Sequence, residues 1–310
     1  MKLQQAQQEL SSRLQSLYDA REAATIADWT MEKITGRKKV DRLVYKQEAL
    51  TPAQEEAWER YTAELLTHRP VQYVLQEAWF CGIKFYVDEQ VLIPRPETEE
   101  LVDWVARETG GAGSLTADHS PGRRSLGEGD PLAISLLDVG TGSGCIAIAL
   151  QKKLSAARPG PAAPVIVHAC DTSASALAVA RRNAADNGAG IHFHLVDFLA
   201  AGEREALPRV DLLVSNPPYI PAREKDSMAP HVTEFEPHLA LFVENDDPLL
   251  FYKALALFAK DRLLPGGSIF AEIHEDLASP VLEVFRDHGF PFLTLKKDLQ
   301  GKDRMIKATR

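Results

Sequence analysis

Two short segments of this 310-residue chain carry residue types suited to group transfer onto nitrogen. The first is Val214-Ser215-Asn216-Pro217-Pro218-Tyr219-Ile220. An Asn side-chain oxygen accepts one N–H bond. A proline carbonyl accepts a second and brings no competing donor. Two acceptors at this spacing hold a planar NH2 by both hydrogens, with Tyr219 walling one side. An amide nitrogen is a poor nucleophile because its lone pair is delocalised; hydrogen bonds to both hydrogens localise electron density there as the transition state forms. Fixing that nitrogen opposite a methyl carbon assists an in-line displacement. No general base accompanies the motif.

The second segment lies upstream: Leu137-Asp138-Val139-Gly140-Thr141-Gly142-Ser143-Gly144. It follows an apolar run and opens an apolar helix. Glycine allows close backbone approach to a ligand, and the helix start offers free N–H groups. A dinucleotide fingerprint is spaced G-x-G-x-x-G; here the third glycine falls one place early and Cys145 stands in its position, which weakens a nicotinamide reading. Two further strand ends add acids. Asp171, after Ala169-Cys170, can accept both hydroxyl hydrogens of a ribose. Asp197 can accept from an adenine amine, and Phe198 can cover the ring. A single acid in such a place also serves as a helix cap, but three consecutive strand ends favour a nucleoside-bearing cofactor. Donor and acceptor segments together point to methyl transfer from S-adenosylmethionine to an amide or amine nitrogen. The sulfonium is already activated, so no metal is required, and the nine histidines show no metal-ligand spacing.

These segments must be held by a scaffold. Residues 1 to about 78 read as helical: Leu10, Leu14, Leu17 and Tyr18 recur at helical spacing, and 23–34 and 52–66 are amphipathic. Thr51-Pro52 with Glu55 marks a helix start. From Trp79 the pattern changes to two short strands, 79–87 and 91–93, with Asp88-Glu89-Gln90 turning between them. Pro94 and Pro96 keep the next segment extended, and a helix is expected over 97–107. The remainder alternates strands at 133–137, 165–170, 192–195, 212–215, 267–273 and near the C-terminus with helices at 146–154, 174–187, 248–263 and 278–288. Such alternation predicts an α/β fold with a parallel, doubly wound sheet. That fold binds ligands at the carboxyl ends of its strands. Segments 110–131 and 156–164 read as surface loops.

Composition excludes several classes. A net charge of -9 disfavours a protein that grips nucleic acid through its phosphates. Cys81, Cys145 and Cys170 lack disulfide or zinc spacing. The first residues lack a signal-peptide core, and no stretch is apolar over the ~20 residues that cross a bilayer. A cytoplasmic location is expected.

The chain resembles the HemK/PrmC family of protein-(glutamine-N5) methyltransferases acting on peptide chain release factors. Arg69-Pro70-Val71-Gln72-Tyr73, Val91-Leu92-Ile93-Pro94-Arg95-Pro96-Glu97-Thr98-Glu99, the glycine loop, Asn216-Pro217-Pro218-Tyr219-Ile220, Glu234-Phe235-Glu236-Pro237 and Gly301-Lys302-Asp303-Arg304 carry the resemblance. It implies a helical substrate-recognition domain over 1–78, a β-hairpin linker over 79–95, and a Rossmann-like, seven-stranded class I methyltransferase domain over 96–310. It implies that the substrate is the glutamine of a Gly-Gly-Gln loop in release factors 1 and 2. By this resemblance Gly140, Thr141, Gly142, Ser143, Gly144, Asp171, Asp197, Phe198 and Asn216 contact S-adenosylmethionine. Pro94 to Thr98, with Pro94 and Thr98 as candidate contacts, lie near its methionine end and the acceptor pocket, and Asn216, Pro217, Pro218 and Tyr219 hold the glutamine. The chain departs from the family at Gln76, across 243–249 and in the length of the 110–131 loop. Two alternatives share the same chemistry: a glutamine of a ribosomal protein, and the N6 amine of DNA adenine. The second must flip a base from the duplex, and residues 1–78 hold no dense basic run beyond Arg37-Lys38-Lys39. A non-catalytic binding module with the same fold is a third reading.

Overall fold

A computed structural model describes residues 1–110, 133–157, 164–243 and 247–310. Most of the expected surface loops at 110–131 and 156–164, from 111 and over 158–163, and residues 244–246 of the 243–249 departure lie outside the described residues; residues 110, 156 and 157, expected in loops, end helices instead. The chain divides into two compact units: Met1–Glu77 with Met228–Phe235, and Ala78–Ser227 with Glu236–Arg310.

The first unit is helical. Its elements are α1 (Leu3–Leu14), α2 (Ala20–Thr35), α3 (Lys39–Val44), α4 (Pro52–Leu65) and α5 (Val71–Leu75). Helix α1 buries Leu3, Ala6, Leu10 and Leu14, a stripe at helical spacing. It stops before Leu17 and Tyr18, which the sequence pattern had joined to it. Asp19 caps α2 by accepting from the amides of Arg21 and Glu22, and Gly36 ends it at φ 65°. Thr51 and Gln54 form a reciprocal capping box at the start of α4, with Pro52 in its first turn. The core gathers Ile26, Met31, Trp58, Leu65 and Val74, and the Trp58 indole donates to the Ala6 carbonyl at 3.1 Å.

The second unit opens with a hairpin of β1 (Ala78–Phe80) and β2 (Ile83–Phe85). The expected hairpin was misplaced. Its turn is Cys81-Gly82, with φ of 51° and 72°, not 88–90. Two central residues of positive φ make a tight two-residue turn whose twist matches the strands. Asp88 does turn the chain, accepting from the Gln90 amide, but residues 91–93 after it form no strand.

The elements that follow are α6 (Pro96–Gly110), β3 (Ile134–Val139), α7 (Cys145–Ala157), β4 (Val165–Asp171), α8 (Ala174–Asp186), β5 (Ile191–Leu195), α9 (Ala201–Arg204), β6 (Val210–Ser215) and β7 (Ile220–Pro221). Then come α10 (Pro230–Thr233), which belongs to the first unit, α11 (His238–Leu241), β8 (Phe242–Val243), α12 (Leu250–Arg262), β9 (Leu263–Glu272), α13 (Ala278–Asp287), β10 (Phe292–Lys297) and β11 (Asp303–Thr309).

Seven strands form one sheet in the order β10-β11-β9-β6-β3-β4-β5. It is not wholly parallel as expected: β11 runs antiparallel to both β9 and β10. The cause is the short 298–302 connection, whose Gly301 has φ 86°, so β10 and β11 join as a hairpin rather than by a helical crossover. Buried faces are near-continuously apolar. Leu136, Leu212 and Phe270 are fully enclosed on adjacent strands, as a sheet covered on both faces requires. Each such side chain contributes roughly 1.5–3 kcal/mol by burial.

The strand order turns at β3. From there the chain builds outward first to β4 and β5, then to β6 and β9. The crevice between the carboxyl ends of β3 and β6 is therefore the topological switch point, where such sheets bind ligands.

Candidate active site

The sheet register sets one row of residues across that crevice. Val139 pairs with Cys170 on one side and Ser215 on the other, and Ser215 pairs with Ala271. The next residue along each strand is then Asp171, Gly140, Asn216 and Glu272. Three of these four were expected from the sequence. Glu272 was not. The rule that found Asp171, an acid closing an apolar strand, applies equally to Glu272. The expected strand ran through to Ile273 and hid it.

The glycine loop is stitched to the end of β4. The amides of Gly140 and Thr141 both donate to the Cys170 carbonyl at 3.0 Å, and the Gly142 amide donates to Asp171 Oδ2 at 2.9 Å. Gly142 has φ 52° with open space where a Cβ would stand. Gly144 has φ 80° and meets Ala180 of α8 at 3.2 Å, so a side chain there is both strained and crowded. Beneath the loop, Asp138 is fully buried. Its Oδ2 accepts from the Thr141 hydroxyl at 2.6 Å and the Ala147 amide at 3.2 Å, and burial pushes its carboxyl up to about 7. The Thr141 hydroxyl is thus turned inward, and Ser143 is buried too. Asn183, fully buried on α8, donates to the carbonyls of Ser143 and Tyr86 at 2.9 Å each and accepts from the Tyr86 amide at 2.7 Å. No sequence signal distinguishes this mid-helix Asn.

Asp171 also accepts from the Ser173 amide at 2.9 Å through Oδ1. Burial raises its pKa, while the Ser173 and Gly142 amides oppose the shift. Each of its oxygens keeps a further lone pair. Asp197 is exposed and accepts from the Leu199 amide at 2.9 Å. Phe198 is buried among core residues against Phe258, at 5.3 Å between ring centres, so it can meet a ligand only at its margin.

The other side of the crevice is a network of side chains. Asn216 Nδ2 donates to Thr98 Oγ1 at 2.9 Å; the Thr98 hydroxyl donates to Glu272 Oε2 at 2.7 Å. The Tyr219 hydroxyl donates to Glu272 Oε1 at 2.9 Å, and the Tyr252 hydroxyl to the Glu272 carbonyl at 3.1 Å. Burial raises the Glu272 pKa, opposed by the Thr98 and Tyr219 hydroxyls and the nearby Arg304 charge. Burial beside Glu272 likewise drives the Tyr219 phenol well above its ordinary value. Asn216 Oδ1 accepts no hydrogen bond among the described residues. Pro94 is half-buried within the same extended segment, which Glu236 pins: its carboxylate accepts from the Ile93 amide at 3.1 Å and pairs with Arg95. The function of the Glu234-Phe235-Glu236-Pro237 motif is legible only here, since the two segments lie far apart in sequence.

Among the described residues no group of His, Cys, Asp and Glu could hold a metal ion. Burial pushes the Cys81 and Cys145 thiols up to about 12 and the Cys170 thiol higher still, which disfavours the nucleophilic thiolate at all three. No helix among the described residues is long and apolar enough to cross a membrane.

Two family models match the chain: the methyltransferase small domain over 129–234 and the PrmC N-terminal domain over 5–75. A release factor glutamine methyltransferase of Flavobacterium psychrophilum is 38% identical, over 95% of this chain and 94% of the relative. One of Bacteroides thetaiotaomicron is 34% identical over 96% of each. A solved structure, the protein-(glutamine-N5) methyltransferase (release factor-specific) of Alicyclobacillus acidocaldarius, is 29% identical. It covers 73% of this chain and 99% of that one, with a TM-score of 0.38. Identity at this level over nearly the whole length places the chain in the release factor glutamine methyltransferase family.

Proposed function

We propose that this protein transfers a methyl group from S-adenosyl-L-methionine to the side-chain amide nitrogen of the glutamine in the Gly-Gly-Gln loop of peptide chain release factors 1 and 2. The observation that carries the reading is the row Asp171, Gly140, Asn216, Glu272 across adjacent strand ends. It sets a cradle for a nucleoside beside a platform for a carboxamide.

The cradle fits the cofactor. Gly140 and Gly142 leave open space where side chains would stand, and Asp171 retains acceptor capacity for two ribose hydroxyls. Gly140 to Gly144 would hold the cofactor by letting the backbone approach it closely, the amides of Gly140, Thr141, Gly142 and Gly144 being engaged within the fold. Asp197 and the margin of Phe198 would meet the adenine, and Pro94 and Thr98 would border the methionine end. When bound, the cofactor supplies a methyl group on an activated sulfonium.

The platform does the remaining work. Asn216 Oδ1 and a proline carbonyl of Pro217-Pro218 accept the two hydrogens of the glutamine NH2 and aim its nitrogen. Tyr219, tied to Glu272, forms a wall that cannot swing away. The nitrogen would gain CH3 as the S–CH3 bond breaks to leave a neutral thioether, and one N–H proton would pass to water; Asn216 Oδ1 and the proline carbonyl stabilise the positive charge that develops on the NH2 before that proton leaves. Glu272 does not take that proton, because it is enclosed behind the Thr98 and Tyr219 hydroxyls and does not face the acceptor directly.

Residues 1–78 serve as the substrate-recognition domain. Its exposed Val40, Leu43, Val44 and Tyr45 on and beside α3 support that role, since clustered exposed apolar residues mark interaction surfaces.

Mass mapping tests the whole reading. The protein is incubated with methyl-labelled cofactor and, separately, release factor 1, release factor 2, ribosomal protein and duplex DNA. One labelled methyl on the Gly-Gly-Gln glutamine is expected. Label confined to ribosomal protein or DNA would refute the substrate assignment.

A further inference from the structure

Asn216 has two chemically opposite ends, and only Oδ1 can hold an acceptor NH2. Which end faces the acceptor depends on what the other end meets. Nδ2 meets Thr98 Oγ1 at 2.9 Å. A hydroxyl owns a single hydrogen, and that of Thr98 goes to Glu272 Oε2 at 2.7 Å. Thr98 can therefore only accept from Asn216. Glu272 takes a second hydroxyl hydrogen, from Tyr219, on Oε1. Both its oxygens act as acceptors, as an ionised carboxylate requires.

We infer that Glu272 is a positioning residue: acting through Thr98, its carboxylate fixes the flip of the Asn216 carboxamide so that Oδ1, and not Nδ2, faces the acceptor nitrogen. This rests on Asn216 being the acceptor platform. Thr98 and Glu272 are almost wholly enclosed, at 2% and 1% exposure, so water cannot substitute for either partner.

Protonating Glu272 reverses the chain of donors. A proton on Oε2 is donated to Thr98, the Thr98 hydrogen turns to Asn216 Oδ1, and the carboxamide presents NH2 to NH2. The groups facing Glu272 come from every element around it. Thr98 and the opposing negative charge of Glu97 lie on α6, and Tyr219 follows β6. Tyr252 on α12 bonds its main chain, and Arg304 on β11 supplies positive charge. Beyond Tyr219 stands His274, edge-on at 6.1 Å, with Arg95 also near the phenol. Burial outweighs the favourable partners and raises the Glu272 pKa. Flip control should therefore fail as pH falls through that raised value.

The test measures kcat against pH at saturating cofactor and release factor, with cofactor Kd and Tm alongside, for wild type, Glu272→Gln and Thr98→Val. A Gln amide supplies one acceptor oxygen where the carboxylate supplies two, so Thr98 and Tyr219 compete for it and the flip of Asn216 is no longer fixed. Glu272→Gln should lower kcat on the order of 10²-fold, the loss seen when one preorganised transition-state hydrogen bond goes, while leaving cofactor Kd and Tm unchanged. The acid limb of the wild-type profile should be absent from both variants. Wild-type kcat in Glu272→Gln, or an acid limb that survives in it, would overturn the inference. So would a parallel fall of kcat, cofactor affinity and Tm, which marks a merely structural role. If Glu272→Gln does not fold, Thr98→Val decides by kcat, its pH profile and Tm, cofactor Kd being set aside because Thr98 borders the methionine end. Asn216→Ala separates the two levels. Full turnover there removes the platform itself, whereas loss of turnover there with normal Glu272→Gln removes only the flip control.

Discussion

The two sides of the crevice are built from different materials. The cofactor side is backbone: amides of Gly140, Thr141 and Gly142 tied to Cys170 and Asp171, over a buried Asp138. The acceptor side is side chain: Asn216, Thr98, Glu272 and Tyr219, drawn from three strands or helices distant in sequence. A backbone cradle tolerates neighbours but not a wrong φ. A side-chain network tolerates strain but not a wrong donor. Substitutions on the two sides should therefore fail in different currencies, affinity and stability on one side, turnover on the other.

The largest effect is expected at Asn216→Ala. It should lower kcat by about 10²–10³-fold, as for loss of a preorganised transition-state partner, with Tm unchanged and cofactor Kd altered far less than kcat; stopped assays, calorimetry and melting measure the three. A matching fall in cofactor affinity would blur the division. Next is Asp171→Ala, which removes the acceptor of the Gly142 and Ser173 amides and the ribose contact. Hydrogen bonds to a charged group contribute about 1.5–3 kcal/mol, so cofactor Kd should rise roughly 10- to 100-fold while kcat at saturation changes little. Gly142→Ala sharpens the point. Nothing crowds a new Cβ there, yet the left-handed backbone costs about 1–2 kcal/mol, read as a lower Tm. A normal Tm would show that the loop relaxes freely.

The smallest effect is a control on neither side. His168 on β4 stacks on His192 and His194 at 4.9 and 5.3 Å, and burial and these neighbours push its pKa down to about 4. Between about 4 and its ordinary 6.5 the unfolded chain binds a proton that the folded chain does not. Stability should therefore fall as pH drops through that window. His168→Gln should flatten the slope of Tm against pH without altering kcat. An unchanged slope would reject the assignment.

The same contrast explains what the sequence could reveal. The glycine loop was legible because its chemistry is local: three glycines between an apolar strand and an apolar helix. Asp171 was legible as an acid at a strand end. The acceptor tetrapeptide was legible by residue type, but its support was not. Thr98 lies 118 residues from Asn216 and 174 from Glu272, and no periodicity links them. Asn183 was silent, and the Glu236 motif legible without its role, for the same reason, each bonding a segment remote in the chain. The hairpin was misplaced because Cys81 adopts positive φ, which a cysteine rarely signals. The antiparallel β11 escaped because a strand near the C-terminus carries no mark of its direction.

The most direct measurement is a crystal structure of the protein with S-adenosylhomocysteine and a glutamine peptide from the release factor loop. The amide nitrogen of the peptide should lie within hydrogen-bond reach, ~2.9 Å, of Asn216 Oδ1, with Asn216 Nδ2 still on Thr98 and the nitrogen facing the cofactor sulfur. A carboxamide bound oxygen-first to Asn216, or lodged away from the carboxyl ends of β3 and β6, would contradict the account.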